Sequence, residues 1–253
     1  MRLVVKVGSS TLSDRGVLSD ERMGQLVDFL AEAHKNHEVL LVTSGAVAAG
    51  HSVVPALSNK KTPERQALAA VGQALLMKRY AKLFEPFGIH VAQILLTKDD
   101  FNSFSHSENA KIAVNTLLTH KILPIINEND TVVIDELLRG DNDQLSAKVA
   151  FYFDADLLII LSDIDGYYDK NPRIHADATL QKQVTRLPKE VLSEGASPND
   201  EFATGGIVTK LKAADFLMER GKKMLLVSGF DLNHARAFLQ TGACEKGTLF
   251  CAP

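Results

Sequence analysis

Short runs of apolar residues alternate along the chain with longer segments in which apolar positions recur every three or four residues. The short runs are mostly continuous, which is typical of strands that are buried on both faces of a parallel sheet. We therefore predict six strands, which are Arg2–Val7, Glu38–Thr43, Ile89–Leu96, Ile122–Ile126, Leu157–Leu161 and Lys223–Val227. The run Thr248–Cys251 is a further strand candidate.

The segments between the apolar runs have the periodicity of amphipathic helices. The predicted helices are Ser19–Asn36, Pro63–Phe84, Ser107–Thr119, Asn142–Phe153, Ile207–Arg220 and Asn233–Gln240. Strand and helix in turn make βα units, so the predicted fold class is α/β, a three-layer αβα sandwich with a mainly parallel central sheet. Right-handed crossovers bring the carboxyl ends of such strands to one edge of the sheet, where ligands usually bind.

Two segments interrupt this alternation. Asp130–Leu138 follows a predicted strand directly and is interpreted as a hairpin or short meander. Tyr167–Asp200 is rich in Asn, Pro, Asp and Gly and is interpreted as a long connection that can carry a small hairpin. Connections of this length are often functional. Because the sequence has no internal repeat and no flexible linker, we predict a single domain over residues 1–253.

The composition excludes several classes of protein. The 28 Lys and Arg residues nearly balance 31 Asp and Glu residues, for a net charge of −3, which argues against a broad nucleic-acid surface. The apolar run near the start is interrupted by Lys6 and Gly8, so we expect no signal peptide, and no apolar stretch approaches the roughly 18 residues of a membrane helix. The two cysteines, Cys244 and Cys251, lack metal-binding spacing and are expected to be reduced thiols. We therefore expect a cytoplasmic globular protein without a membrane or nucleic-acid partner.

Two lysines are expected to converge on one edge of the sheet. Lys6 lies near the end of an apolar strand, where a charge is costly unless it meets a partner or a ligand, and Gly8 follows it. Lys210 comes one turn after the paired glycines Gly205 and Gly206, which open a helix and can cradle an anion. Each glycine motif taken alone is often a simple turn. Two lysines that converge on the same edge indicate a site that binds a phosphate group. Neither a P-loop nor a dinucleotide fingerprint is present.

Acidic and amide side chains gather at three neighbouring positions of the same predicted edge. They are Asn127–Asp130, Gly140–Asp143 and Ser162–Gly166. Helix capping explains one such cluster but not three. These groups suit binding an ammonium, holding Mg²⁺ through phosphate and water, or orienting lysines.

Six motifs, taken in order, closely resemble the amino acid kinase family over essentially the whole chain. They are VVKVGSSTL (Val4–Leu12), VTSGAVAAG (Val42–Gly50), INENDTV (Ile126–Val132), GDND (Gly140–Asp143), SDIDGYYDKNP (Ser162–Pro172) and ATGGIVTKLKAA (Ala203–Ala214). Ala203 stands where the family pattern has glycine. The first and last motifs alone indicate the wider family. SGAVAAG, NENDTV and GDND resemble its branch that phosphorylates glutamate.

The resemblance implies the amino acid kinase fold and transfer of the γ-phosphoryl group of ATP to the side-chain carboxylate of L-glutamate. The product is L-glutamyl 5-phosphate, the first intermediate of proline biosynthesis. By motif position, Lys6 and Lys210 neutralise the transferring phosphoryl group, and Asp143 holds both lysines. Glutamate is bound by Ser44, Gly45, Asn127, Asp130, Asp141 and Asn142. The nucleotide is bound by Lys6, Gly8, Ser162, Asp163, Thr204, Gly205, Gly206, Ile207, Val208, Thr209 and Lys210.

The same resemblance implies ATP and Mg²⁺ as cofactors, with no dedicated protein ligands for the metal. It also implies proline as a feedback inhibitor and assembly into a dimer or tetramer. Many members of this branch carry a further C-terminal domain of the PUA type. Since the chain stops at Pro253, we expect it to lack that domain.

Elementary chemistry agrees with this expectation. A side-chain carboxylate with a pKa near 4.3 is already ionised at pH 7, so the acceptor needs no general base. The reaction needs alignment of two anions and compensation of their repulsion, which lysines, helix N-termini and Mg²⁺ supply. Two alternatives stay open. The acceptor can be another carboxylate, a carbamate or a nucleoside monophosphate, or the protein can be a regulator that binds nucleotide or amino acid without catalysis.

Overall fold

The computed structural model describes residues 1–14, 16–58, 60–133, 142–172, 174–192 and 205–253. Its strands are β1 (Arg2–Val7), β2 (Ser13–Asp14), β3 (Val17–Leu18), β4 (Glu38–Val42), β5 (Val91–Leu96), β6 (Leu123–Glu128), β7 (Leu157–Ser162), β8 (Gln183–Val184), β9 (Lys223–Ser228) and β10 (Thr248–Phe250). Its α-helices are α1 (Ser9–Leu12), α2 (Asp20–His34), α3 (Ala46–Val53), α4 (Thr62–Phe84), α5 (Phe104–Thr119), α6 (Asp143–Tyr152), α7 (Gly205–Met218) and α8 (Asn233–Thr241).

Eight of these strands form one sheet in the order β5-β6-β4-β1-β7-β9-β10-β8. Six adjacent strands of this sheet are parallel to one another, namely β5, β6, β4, β1, β7 and β9. β10 runs antiparallel to β9. This confirms the predicted α/β class and the mainly parallel sheet. All six predicted strands are present; β1 has the predicted bounds, and the ends of the others differ by at most two residues. β6 continues through two polar residues because Asn127 and Glu128 pair with Leu95 and Leu96 of β5.

Alternate residues of the central strands point to opposite faces of the sheet, and each face has its own hydrophobic core. On one face, Val4 and Ile160 lie in a cluster with apolar residues of α5, α6 and α7. On the other face, Val5 and Ile159 lie in a cluster with apolar residues of α2, α4 and α8. Burial of both strand faces explains why the apolar runs are continuous, and it gives the predicted three layers.

Some elements differ from the prediction. The pattern of apolar and polar residues did not predict α1, α3 or the β2–β3 hairpin. Four of the eight residues of α3 are alanine or glycine, so α3 has little of the contrast between large apolar and polar residues from which an amphipathic helix is recognised. Residues 130–132 form a turn, and residues 134–138 of the hairpin or meander predicted there lie outside the described residues. In the long connection, an antiparallel bridge joins Tyr168 and Leu180, and residues 193–200 lie outside the described ranges.

The two cysteines are free thiols, Cys251 buried and Cys244 partly so. No helix in the described ranges has both the length and the apolar character needed to span a membrane.

Helices α3 and α4 approach each other backbone to backbone through two glycines. A Cβ atom on Gly72 of α4 would lie 1.7 Å from the carbonyl oxygen of Ala46 and 2.4 Å from the backbone nitrogen of Gly50. A Cβ atom on Gly50 of α3 would lie 2.0 Å from the carbonyl oxygen of Leu68. These obstacles are backbone atoms, which cannot rotate away as a side chain can. The glycine pair therefore fixes α4 against the helix that follows β4.

We expect Gly72→Ala to lower the free energy of unfolding by about 3 kcal/mol, because the added methyl group forces the two helix backbones apart. Urea unfolding monitored by circular dichroism measures this change. The matched control is Gly24→Ala within α2, where an added Cβ meets nothing within 4 Å. If the two alanine variants were equally stable, the backbone contact between α3 and α4 would not matter to the fold.

Candidate active site

Three charged side chains from distant parts of the sequence meet at the carboxyl edge of the sheet. Lys6 lies near the end of β1, Asp143 begins α6, and Lys210 lies in the second turn of α7. Asp143 Oδ1 is 2.6 Å from Lys6 Nζ, and Asp143 Oδ2 is 3.0 Å from Lys210 Nζ. Asp143 is fully buried, and Lys6 and Lys210 are 4% and 8% exposed. The carboxylate thus bridges two ammonium groups, and the three residues keep one net positive charge.

The fold explains why these charges tolerate burial. β1 lies between β4 and β7, so Lys6 is held in the centre of the sheet opposite Val42 and Ile160. Lys210 Nζ also donates to the carbonyl oxygen of Gly206 at 2.9 Å. Thr209 Oγ1 donates to Asp143 Oδ2 at 3.0 Å. Buried charges persist when they are paired and hydrogen-bonded in this way, and the surplus positive charge suits an anionic ligand.

The described residues that were predicted for the nucleotide lie at the ends of β1 and β7 and at the start of α7. Gly8 is next to the lysines, since a Cβ atom there would lie 3.6 Å from Lys6 Nζ. Ser162 ends β7, the neighbour of β1, and its hydroxyl donates to Asp163 Oδ1 at 3.1 Å and accepts from the backbone N–H of Ile164. The side chains of Ile207 and Val208 lie in the apolar core. Thr204 lies outside the described residues.

Three of the residues predicted for glutamate form a polar cluster next to Asp143, which follows Asn142 in the chain. Ser44, Asn127 and Asn142 are 8%, 2% and 6% exposed. Asn142 Nδ2 donates to the Asn127 side-chain oxygen at 2.8 Å and to Ser44 Oγ at 3.2 Å. Asn142 is the N-cap residue of α6, yet its side chain does not cap the helix and is directed to this cluster instead. Asp130 lies in the turn after β6, and Asp141 lies outside the described residues.

Gly45 makes the turn from β4 into α3. Its φ is 103°, in the left-handed region where residues with a Cβ atom are strained. It is the N-cap residue of α3, directly after Ser44. A glycine at this position lets the strand end sharply, and it places the Ser44 hydroxyl beside Asn142.

A buried hydroxyl pair supports the same loop and was missed by the sequence analysis. Tyr80 of α4 is fully buried, and its hydroxyl lies 2.8 Å from Thr43 Oγ1, directly before Ser44. Burial raises the pKa of the Tyr80 hydroxyl well above its ordinary value, and the hydrogen bond with Thr43 opposes part of that shift. The phenol therefore stays protonated and neutral, and it anchors the loop as a hydrogen-bonding group.

Gln73 of α4 was missed as well. Its amide hydrogen-bonds with Asn127, and it occupies the buried face of the helix together with Ala69, Leu76 and Tyr80. The signal that could have found it is a polar amide at an apolar helical position. Nothing in the spacing of the sequence tells which strand that amide meets.

Residues 1–228 match the model of the amino acid kinase family. This match covers the six parallel strands and both lysines. The chain belongs to the amino acid kinase family.

Two relatives are similar over almost the whole chain. A glutamate 5-kinase of Wolinella succinogenes is 54% identical over 254 residues, with 98% of this chain and 97% of the relative aligned. A glutamate 5-kinase of Leishmania donovani is 51% identical over 249 residues, with 98% of this chain and 94% of the relative aligned. Among solved structures, carbamate kinase from Giardia lamblia bound to AMP-PNP has a TM-score of 0.69 at 14% identity. That alignment covers all of this chain and 98% of the carbamate kinase, and it shows the shared fold.

Proposed function

We propose that the protein catalyses ATP-dependent phosphorylation of the side-chain carboxylate of L-glutamate, which gives L-glutamyl 5-phosphate for proline biosynthesis. One observation carries the proposal: a lysine–aspartate–lysine bridge lies directly beside a cluster of buried amide and hydroxyl groups. The surplus positive charge of the bridge can offset the repulsion between two anions that must approach each other. The hydrogen-bonding groups of the cluster can bind the polar groups of an amino acid. The identity of about half of all residues to glutamate 5-kinases supports glutamate as that amino acid.

The charge arrangement accounts for the chemistry without a general base. The acceptor carboxylate is already ionised at neutral pH, so the protein has to align it with the γ-phosphoryl group and offset the repulsion between them. In our proposal, Lys6 and Lys210 contact the phosphoryl oxygens, on which charge accumulates in the transition state. Asp143 holds both ammonium groups at fixed positions, so that they need no reorganisation when the substrates meet.

The remaining predicted residues divide between the two substrates. We assign glutamate to Ser44, Gly45, Asn127 and Asn142, with Asp130 and Asp141 as further contacts. We assign the nucleotide to the backbone of Gly8 and of Gly205–Lys210, with Thr204, Ser162 and Asp163. The side chains of Ile207 and Val208 are packed in the core. We therefore assign them a backbone contribution, through the N–H groups of the first helical turn, which bind phosphate favourably.

ATP is the phosphoryl donor in this proposal, and Mg²⁺ accompanies it. Within the described part of the chain, no three His, Cys, Asp or Glu side chains gather into a group that could hold a metal ion. The phosphate oxygens and water supply most ligands to Mg²⁺ in sites of this kind. Bound there, the ion neutralises charge on the phosphates and leaves the lysines to act at the transferring group.

Four further expectations from the sequence belong to the same proposal. A single domain is supported by the eight-stranded sheet, which contains every strand of the described residues except β2 and β3. A cytoplasmic location is supported by two free thiols, which are common in reducing compartments. Assembly into a dimer or tetramer and inhibition by proline rest on the resemblance to this branch of the family.

The test of the acceptor is a panel assay. The protein is incubated with ATP, Mg²⁺ and one acceptor, and acyl phosphate is trapped as hydroxamate with hydroxylamine. We expect hydroxamate with L-glutamate and at least a hundredfold less with L-aspartate or N-acetyl-L-glutamate, since an aligned reaction loses about two orders of magnitude on misplacement of the acceptor by about 1 Å. ADP release with carbamate or UMP is measured in parallel. Turnover with one of these other acceptors, or ATP binding without any turnover, would contradict the proposal.

A further inference from the structure

A row of hydrogen-bonded amides runs from the edge strand of the sheet to the glutamate cluster. Gln73 Nε2 donates to Gln93 Oε1 at 3.0 Å, and Gln73 Oε1 accepts from Asn127 Nδ2 at 2.9 Å. Asn127 Oδ1 then accepts from Asn142 Nδ2 at 2.8 Å. In each pair, the side-chain oxygen of the amide farther from the cluster accepts a hydrogen bond from the NH₂ group of the amide nearer to it. The orientation of one amide therefore fixes the orientation of its neighbour.

The last amide of the row is committed to one orientation. The NH₂ group of Asn142 also donates to the carbonyl oxygen of Thr43 at 2.7 Å and to Ser44 Oγ at 3.2 Å. Rotating this amide by half a turn would place its oxygen against the oxygens of Thr43 and Asn127. With the NH₂ group used in this way, the atom that Asn142 can offer a ligand is the acceptor Oδ1. An acceptor matches an ammonium group, which has three donors and no acceptor.

Gln73 supports that orientation from a distance. Asn127 is 2% exposed, and its NH₂ group donates to Gln73. Without an acceptor at position 73, this buried donor would lose its partner, and the Asn127 amide would be held less firmly, through the hydrogen bonds that its oxygen accepts from Asn142 Nδ2 and from the backbone N–H of Glu128. Gln73 itself is held in place because its neighbour Gly72 packs against the backbone of α3.

We infer that Gln73 is a positioning residue that sets the selectivity of the site for the α-ammonium group of its acceptor. It acts through Asn127 and directs Asn142 Oδ1 toward that group. The inference rests on the proposed function, because it takes an α-amino acid as the acceptor.

The test separates ammonium recognition from general loosening of the site. Gln73→Met keeps the length of the side chain and removes its hydrogen bonds. We expect the KM for L-glutamate to rise about tenfold, as loss of one buried hydrogen bond predicts, with kcat and the KM for ATP within about twofold of the wild type. Glutarate has both carboxylates but no ammonium group, and we expect its Ki as a competitive inhibitor to stay within about twofold.

Two further variants test the acceptor at position 73. Gln73→Glu keeps an oxygen for Asn127, and the exposed Gln93 is able to rotate its amide and donate to the new carboxylate. We therefore expect it to recover most of the affinity for L-glutamate. Gln25→Met on the exposed face of α2 is the control and should match the wild type.

A variant at the surface keeps the inference testable if Gln73→Met fails to fold. Gln93→Lys presents a donor to Gln73 Nε2 and so favours rotation of the Gln73 amide, which turns its NH₂ group toward that of Asn127. We expect the same selective rise in the KM for L-glutamate, and no such rise for Gln93→Glu, which keeps an acceptor. An unchanged KM for L-glutamate in folded Gln73→Met, or an equal loss for L-glutamate and glutarate, would overturn the inference. Absence of glutamate-dependent hydroxamate in the wild type would instead overturn the proposed function.

Discussion

Lys210→Ala is expected to lower kcat for glutamate phosphorylation at least about a hundredfold while the protein stays folded. Removing one group that stabilises developing charge typically costs two to three orders of magnitude in rate. The fold should survive, because Asp143 keeps its ion pair with Lys6 at 2.6 Å and its hydrogen bond from Thr209. Single-turnover measurements at saturating ATP and glutamate report the chemical step directly.

The matched control for this variant is Lys212→Ala. Lys212 lies two positions further along α7, so its side chain leaves the helix in a different direction from that of Lys210. We expect Lys212→Ala to keep the wild-type kcat. Wild-type turnover in Lys210→Ala, with a circular dichroism spectrum like that of the control, would remove Lys210 from the phosphoryl site.

Asp143→Ala is expected to abolish measurable transfer and also to destabilise the fold by about 3–5 kcal/mol. The reason is that it leaves Lys6 and Lys210, which are 4% and 8% exposed, facing each other without the carboxylate that bridges them. Urea unfolding at low ionic strength measures the loss of stability. Asp143→Asn should lose less stability, since the amide oxygen can still accept from one lysine.

An added anion distinguishes this explanation from simple loss of packing. Sulfate should raise the unfolding midpoint of Asp143→Ala more than that of the wild type, because it can occupy the position between the two ammonium groups. Equal effects of sulfate on both proteins, or a stability of Asp143→Ala close to that of the wild type, would show that the bridge contributes little.

The sequence predicted the framework of the site better than its interior. Lys6 could be placed at this edge because it is a charged residue near the end of an apolar strand. Lys210 could be placed there because it follows a glycine pair that opens a helix. Gln73 and Tyr80 could not be placed, because their partners Asn127 and Thr43 are close to them only in the folded chain. For Ile207 and Val208 the motif indicated contact with the nucleotide, but it could not separate a backbone contribution from side chains that pack in the core.

The fold shows the same division. Continuous apolar runs predicted the six parallel strands, since a strand that is buried on both faces has apolar residues at nearly every position. No comparable sequence pattern indicates the direction of β10 or the presence of α3. β10 runs antiparallel to β9 although α8 lies between the two strands in the chain. α3 contains glycine and alanine, which let its backbone approach that of α4 closely.

The last strand has a consequence for where the chain can be cut. The family match ends at residue 228, whereas β10 lies beyond it, pairs with both β9 and β8, and buries Phe250 completely. The Thr248 hydroxyl also accepts from the backbone N–H of Tyr167 at 2.8 Å, which ties the long connection to the sheet. A fragment trimmed to the family boundary would leave β9 as an open edge with unpaired backbone groups, a template for aggregation. Shortened versions of this protein should therefore keep residues 229–253, although the family pattern does not include them.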